Sequence, residues 1–317
     1  MQLRSLGRGA VQVSAVGYGG MHLSTATARP SEADAIRTLH AAFDAGVTLV
    51  DTADVYALDH TEIGHNERLI AKALASWAGA RDAVVVATKG GMIRPDGRWE
   101  RDARPERLRR ACDRSLKALG VERIDLYQLH APDHQVPFEE SVGTLFELQR
   151  EGKLRWVGLS NVSVAEIKAA EALGTVTSVQ NRLSPFFREA LETGVVRYCA
   201  ERGVGFLAYS PTGGGRLTKR LPDHPVLAPM ARELGVSAHA LVIAWALAQA
   251  DCVLPIPSAP TPAPAVDSAR VNLSYTPIRA PIPGRTGRSS VTVGALVTAY
   301  QPVPLATIQQ LDPIYVD

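Results

Sequence analysis

Asp51, Tyr56, Lys89 and His130 stand at, or just beyond, the points where apolar strand-like runs stop, in TLVDTADVY, AVVVATK and IDLYQLH. In a repeating β/α chain such strand ends converge on one face. A carboxylate, a phenol, an ammonium and an imidazole gathered there can protonate a carbonyl oxygen. An ordinary tyrosine, with a pKa of about 10, gives up its proton poorly near neutral pH. A buried ammonium at Lys89 would stabilise the phenolate and lower that pKa, while Asp51, paired with Lys89, would keep the ammonium charged and in place. His130 would orient the oxygen that receives the proton. Singly, each residue has a plainer reading: Asp51 before Thr52 as an Asx turn, Lys89 before Gly90 and Gly91 as a solvated strand end, His130 as an ordinary hydrogen-bonding residue. Their combination points to chemistry.

The elements that must position them are legible as eight apolar, β-branched runs: VSAVGYGG, TLVDTAD, AVVVATK, IDLYQLH, RWVGLSN, TSVQN, GFLAYSP and VLPIP. Between them lie helical patterns. One runs from Ser31 to Ala45, with Ile36, Leu39 and Phe43 on one face and Gly46 stopping it. Another runs from Ser163 to Leu173 behind a Ser163/Glu166 capping box. Others cover about 104–119, 138–151, 188–202 and 237–250. Strand and helix alternating eight times predict a parallel sheet closed into a barrel, and no GxGxxG or GxxxxGK[ST] fingerprint argues for a doubly wound sheet.

Composition narrows the partners. The 317 residues are 46% hydrophobic with a net charge of +2, which gives no reason to expect nucleic acid or a membrane surface and favours a small molecule. Cys112, Cys199 and Cys252 are odd in number, widely spaced and without CxxC, so they read as reduced thiols. The histidines show no metal-ligand spacing, and no metal is expected. Asn66 and Glu67 read as a helix start rather than as a pocket mouth. The N-terminus lacks an apolar signal core, and the run from Ala240 to Ala248 is short of the ~20 residues of a membrane helix, so a cytoplasmic protein is expected, with a monomer sufficient.

At the cofactor end, Ser160, Asn161 and Gln180 offer hydroxyl and amide groups suited to a carboxamide, and Tyr209 offers a flat ring on which a nicotinamide could stack. Gly213, Gly214 and Gly215, after Ser210 and Pro211, would let backbone N–H groups approach a pyrophosphate, with Arg216 adding charge; alone, the triple glycine is simply a flexible loop. Met21, Trp99 and the segment GGMIRPDGRWERD are candidates for the substrate wall.

The phrases GYGGM at 17–21, DTADVY at 51–56, GHNERLIAKAL at 64–74, TKGG at 88–91, DLYQLH at 125–130, GLSN at 158–161, VQN at 179–181, YSPTGGG at 209–215 and PIPS at 255–258 occur in order. On these the chain resembles the aldo-keto reductase family from Met1 to about Ser268. The resemblance implies a (β/α)8 TIM barrel over 1–270, with an N-terminal β-hairpin, that reduces aldehydes or ketones with NADPH. It implies Tyr56 as the acid, with Asp51, Lys89 and His130 completing a tetrad, and Gly20, Met21, Ser160, Asn161, Gln180, Tyr209 to Pro211, Gly213 to Arg216, Ser258 and Asp267 as cofactor residues. The chain departs from the family in PIPSAPTPAPAVDSAR, which has no Lys or Arg before Arg270 to hold a 2′-phosphate, so NADH is a rival to NADPH. Alternative readings are a nicotinamide-binding regulatory subunit with little turnover, a barrel enzyme using Lys89 as a Schiff base, and a fragment of an export complex.

From about Arg270 the pattern turns to Pro/Gly-punctuated β alternation. NLSYTPIRAPIPGRTGRSSVTVGALV and LATIQQLDPIYVD resemble the periplasmic adaptor, or membrane-fusion, proteins of tripartite efflux pumps, which implies a chimera whose residues 271–317 form a β-prone tail rather than an independent domain. A short helix is expected from Pro264 to Leu273, with Ala265, Ala269 and Leu273 facing the barrel.

Overall fold

The β-branched runs become strands because each stops at a residue that ends pairing and alternates one face with the other. In the computed structural model they are β1 (Tyr18–Gly19), β2 (Leu49–Asp51), β3 (Val85–Gly90), β4 (Ile124–Leu129), β5 (Leu154–Ser160), β6 (Val176–Arg182), β7 (Gly205–Tyr209) and β8 (Val253–Pro255). The structure describes residues 2–8 and 10–271, with the backbone of two short strands at 285–286 and 308–309. The eight strands pair in parallel in chain order. The ring closes where the Gly17 and Gly19 N–H groups donate to the carbonyls of Pro255 and Pro257, both at 2.9 Å. Tyr18 Oη donating to Ala259 O at 2.5 Å and Ser258 Oγ donating to Gly19 O at 2.7 Å fasten this seam. A Cβ on Gly19 would stand 2.7 Å from the Ile256 carbonyl oxygen, so the close approach requires glycine. The fold is a (β/α)8 barrel.

Outside the ring lie α1 (Glu32–Asp44), α2 (His65–Ser76), α3 (Pro105–Leu119), α4 (Phe138–Arg150), α5 (Val164–Glu171), α6 (Val195–Arg202), α7 (Ala238–Leu247) and α8 (Pro262–Ala269). Their ends follow local chemistry. Ser31 Oγ accepts the Asp34 N–H, both halves of the Ser163/Glu166 capping box form, and Gly120 closes α3 in the left-handed region at φ 66°. The helix expected over 188–202 is broken, because Gly194 at φ 78° separates a short turn, Glu189–Glu192, from α6. Short helices at Gly215–Arg220 and Leu227–Glu233, between β7 and α7, had no strong periodic signal. Helix α8 opens at Pro262 rather than Pro264 and buries Ala265 and Ala269 as expected; its expected end at Leu273, and the tail with its adaptor-like phrases, lie outside the described residues. No single helix among the described residues is long and apolar enough to cross a membrane.

The expected first strand divides in two: Gln12–Ser14 pairs antiparallel with Leu3–Ser5 as a hairpin, and β1 follows. The hairpin's Leu6 and Val13 join Leu49, Val85, Ala87, Leu126, Leu207 and Leu254 inside the barrel, closing its N-terminal mouth. Alternation then decides the opposite mouth. Leu49 puts Asp51 on the inner face, Val85 and Ala87 put Lys89 there, and Leu126 puts Gln128 and His130 there.

The hairpin docks against Gly205, where a Cβ would lie 1.9 Å from Leu6 O. Gly205→Ala should therefore destabilise the fold by ~1–3 kcal/mol. Gly143→Ala, in α4 with nothing within 4 Å of its Cβ, should stabilise it by ~0.5–1 kcal/mol. Urea unfolding of both variants checks the pair, and equal effects would remove the clash as the cause.

Candidate active site

Asp51 ends β2, Lys89 is the penultimate residue of β3, and His130 follows β4, its N–H donating to Gly90 O at 2.9 Å. Tyr56 arrives from the loop after β2, which folds back through Tyr56 N–H to Ala53 O (3.1 Å) and Gly64 N–H to Asp54 O (2.7 Å). Lys89 Nζ is thereby placed 2.8 and 2.7 Å from the two Asp51 oxygens, 2.8 Å from Thr52 O and 3.0 Å from Tyr56 Oη. Lys89 is fully buried and Asp51 is 2% exposed. Gln180 Nε2 donates to Asp51 Oδ1 at 2.7 Å, and Gln128 Nε2 lies 3.4 Å from the same oxygen. The structure thus brings together all four residues singled out for chemistry.

Electrostatics within the group are governed by burial. Burial acts to lower the Lys89 pKa, but Asp51 and then Tyr56 outweigh it, so the pKa rises and the group is a stable ammonium. Tyr56 departs from expectation. Its pKa stands above the ordinary value, because burial raises it, the Asp51 charge adds to that, and Lys89 only partly offsets both. Burial first and the Lys89 charge second hold His130 well below its ordinary range, so the imidazole is neutral near pH 7, with Nδ1 unpaired.

These groups open into a cleft of about 990 Å³. Met21, His22, Met92 and Trp99 form one wall. The Trp99 ring meets those of Tyr56 and His130 edge-on, each at 6.3 Å between centroids, while Tyr56 and His130 are 5.8 Å apart. The other end is made by Gly19, Ser160, Asn161, Gln180, Tyr209, Ser210, Pro211, Gly214, Gly215 and Arg216, with Thr218, Lys219 and Ser258. Asn161 sits at φ 58° and Ser210 at φ 50°, left-handed positions that a non-glycine residue keeps only where neighbours hold it. Tyr209 Oη donates to Asn161 Oδ1 (2.9 Å), and Asn161 Nδ2 donates to His130 O (3.0 Å) and Ser160 Oγ (3.1 Å). Gly213, Gly214 and Gly215 are consecutive residues at positive φ, and a Cβ on Gly215 would meet nothing within 4 Å.

Some expected cofactor residues are engaged elsewhere. The Gln180 amide is turned to Asp51, the Ser258 hydroxyl is committed to the barrel seam, and Asp267 is exposed on α8, outside the cleft lining. Gly20 and Gly213 also lie behind the lining: Gly20 N–H donates to Asp51 O at 2.8 Å, and Gly213 O accepts from Arg182. Gln128 was not singled out from the sequence, although it shares the inward phase of His130 in β4. A Cβ at Gly158 would stand 2.9 Å from Gln128 Cγ, so that glycine makes its room. Asn66 does more than open a helix, since its buried amide donates to Gly20 O and Ser24 Oγ and accepts from Thr52.

The sequence matches the Aldo/keto reductase family over residues 15–275. It is 36% identical over 282 residues to the probable aldo-keto reductase 1 of Glycine max, covering 80% of this chain and 79% of that protein. The chain belongs to the aldo-keto reductase family. As an aldo-keto reductase it superposes on the glycerol dehydrogenase of Gluconobacter oxydans with a TM-score of 0.71 at 28% identity, covering 84% of this chain and 89% of that one. It superposes equally, with a TM-score of 0.71, on an aldo/keto reductase from Klebsiella pneumoniae solved with NADP and acetate, at 25% identity over 89% and 92% of the two chains. The family match in this aldo-keto reductase ends at residue 275, short of most of the tail.

Behind the site, Asp54 is fully buried with Oδ1 unpaired, and burial first and the Glu67 charge second push its pKa up to about 7. Unfolded, its pKa is about 3.9. Between these values the folded protein holds a proton that the unfolded chain has released, so this contribution to stability falls as pH rises toward 7. Asp54→Asn removes the dependence. Unfolding free energies from pH 4 to 8 should show the wild type losing ground to the variant through that window and holding level above it, whereas a constant difference would mean that Asp54 is ionised throughout.

Proposed function

We propose that this aldo-keto reductase reduces the carbonyl group of small aldehydes or ketones with a nicotinamide dinucleotide, Tyr56 supplying the proton. The observation that carries the reading is the Tyr56 hydroxyl held 3.0 Å from a buried ammonium that both Asp51 oxygens fix in place. The other end of the cleft suits the cofactor. Gly214 and Gly215, both at positive φ, offer backbone at the mouth, Arg216 and Lys219 supply positive charge, and Ser160, Asn161 and Tyr209 supply polar groups and a ring. A reduced nicotinamide bound there supplies hydride to the carbonyl carbon.

The chain's own residues handle the proton and the oxygen. Neutral His130 donates a hydrogen bond to the substrate oxygen and orients it toward Tyr56 Oη. As negative charge builds on that oxygen, Tyr56 delivers its proton, and the Lys89 ammonium stabilises the phenolate that remains. Asp51 keeps Lys89 charged, with the Gln180 amide holding the carboxylate. A tyrosine whose pKa burial has raised keeps its proton until a strongly basic oxygen appears, which suits an acid that must act only during reduction. Trp99 and Met21 wall the position that the carbonyl would take. The Schiff-base reading of Lys89 fits poorly, because nucleophilic attack needs a neutral amine, and this one is surrounded by acceptors and kept charged.

Between NADPH and NADH the features pull apart. The Klebsiella pneumoniae relative solved with NADP supports NADPH. The segment 256–269 carries no Lys or Arg, which favours NADH.

Following loss of reduced-nicotinamide absorbance with an aromatic aldehyde, Tyr56→Phe should lower turnover by ~10²–10⁴ while leaving dinucleotide binding intact. Binding without turnover in the folded wild type, with either cofactor, would favour the regulatory-subunit reading. In Arg216→Ala, kcat/KM should fall equally for NADPH and NADH if Arg216 meets the pyrophosphate common to both. A loss confined to NADPH would place Arg216 at the 2′-phosphate instead.

A further inference from the structure

A separate cleft of about 500 Å³ opens between the 60–63 turn, the 93–96 turn and α3. Arg94, Arg107 and Arg114 line it together with His60. Arg94 is only 5% exposed; its Nη2 donates to Leu58 O at 2.7 Å, while Nε and Nη1 are buried without partners. The Nε–H groups of Arg107 and Arg114 are likewise buried and unpaired. Buried guanidinium donors without acceptors are costly, and here four such atoms belong to three arginines of one cleft.

Carboxylates offset the cluster only in part, through the charges of Asp54 and Asp102 on Arg107, of Asp59 on Arg94, and of Asp54 and the buried Glu67 near Arg114. Among the described residues, Arg114 has one ion-pair partner, Asp54, at 3.4 Å, and Arg94 and Arg107 have none. Asp54 is itself drawn toward its protonated form. Asp102 lines the cleft but is held by two 2.8 Å hydrogen bonds from Arg104, and neither the half-buried Asp59 nor the exposed Asp96 forms an ion pair with a guanidinium. Arg107 is held below its ordinary range by burial first and by repulsion from Arg114 second.

We propose that this cleft is a second binding site, separate from the carbonyl-reducing site, which takes a doubly charged oxyanion of the phosphate class. Planar guanidinium forks match the oxygen geometry of phosphate, and a partly buried setting strengthens each charged hydrogen bond. Occupancy is also wired to the active site. The Arg94 guanidinium carbon sits 4.0 Å over the Trp99 ring, and Arg94 anchors the Leu58 carbonyl two residues beyond Tyr56. An anion that draws on Arg94 thus alters the stack supporting Trp99.

The test titrates the full chain with inorganic phosphate and, separately, with glycerol phosphate, at ionic strength held constant with chloride, following tryptophan fluorescence and heat. Saturable binding is expected, weakened about tenfold or more in Arg107→Gln and partly restored in Arg107→Lys. Trp99→Phe should lose most of the fluorescence change and keep the heat. Tighter binding of the inorganic ion would point to free phosphate, and tighter binding of the ester to a phosphorylated metabolite. Absence of saturable binding in folded wild type would overturn the proposal. So would binding abolished by Arg216→Ala yet untouched by Arg107→Gln, which would put the anion in the main cleft. Circular dichroism establishes that each variant is folded, and Arg114→Gln gives the same reading should Arg107→Gln fail to fold.

Discussion

A charged pair almost wholly withdrawn from water, Lys89 with Asp51, is the interaction on which the rest of this barrel's upper half depends. Removing two charges from water is costly, and their attraction compensates only when every remaining donor and acceptor is met. Here the ammonium finds Thr52 O and Tyr56 Oη beyond the carboxylate, and the carboxylate finds Gln180 and Gln128. Strands β2, β3, β4 and β6 each contribute one of these groups, so the pair sets how those strands may lie at the C-terminal mouth. A polar centre of this kind tolerates little displacement, whereas the aliphatic layer below it, from Leu49 to Leu254, is filled by shape alone.

The same centre sets two opposing influences on Tyr56. An ammonium beside a phenol favours its anion, and a site dry enough to make that attraction strong also penalises the anion. Here the second influence is larger. Position relative to Lys89 was readable from sequence; the balance of the two influences was not, because it depends on how completely Trp99, His130 and the loop after β2 exclude water.

Much of the fold was legible for a simple reason. Apolar β-branched runs located the eight strands, the first within a longer run that divides in two, and capping residues such as Ser31 and Ser163 located helix starts, because these are local effects. The reach of Tyr56 to Lys89 followed from strand ends converging on one mouth. What escaped was set by long-range competition for hydrogen bonds. Gln180 was expected to face a carboxamide, yet Asp51, an ionised acceptor deeper in the barrel, takes its amide. Ser258 was expected at a cofactor, yet its hydroxyl donates to the Gly19 carbonyl across the seam. Gln128 passed unnoticed because an amide within an apolar strand has no motif of its own. Helix α8 began two residues early because Pro262 suits the first helical turn as well as Pro264 does.

The seam between β1 and β8 gives this arrangement a direction in time. Tyr18 and Ala259, joined across it, are 241 residues apart. A chain emerging from the ribosome has its carboxylate, phenol, ammonium and imidazole in hand by residue 130, less than halfway along. It cannot close the ring until the last strand has appeared, and contacts so distant in sequence form slowly. Until then β1 presents an open edge, and the buried charges of the centre stand in a half-built cup that water can enter. Formation of the active site is therefore tied to the emergence of β8 rather than to the appearance of the residues that compose it.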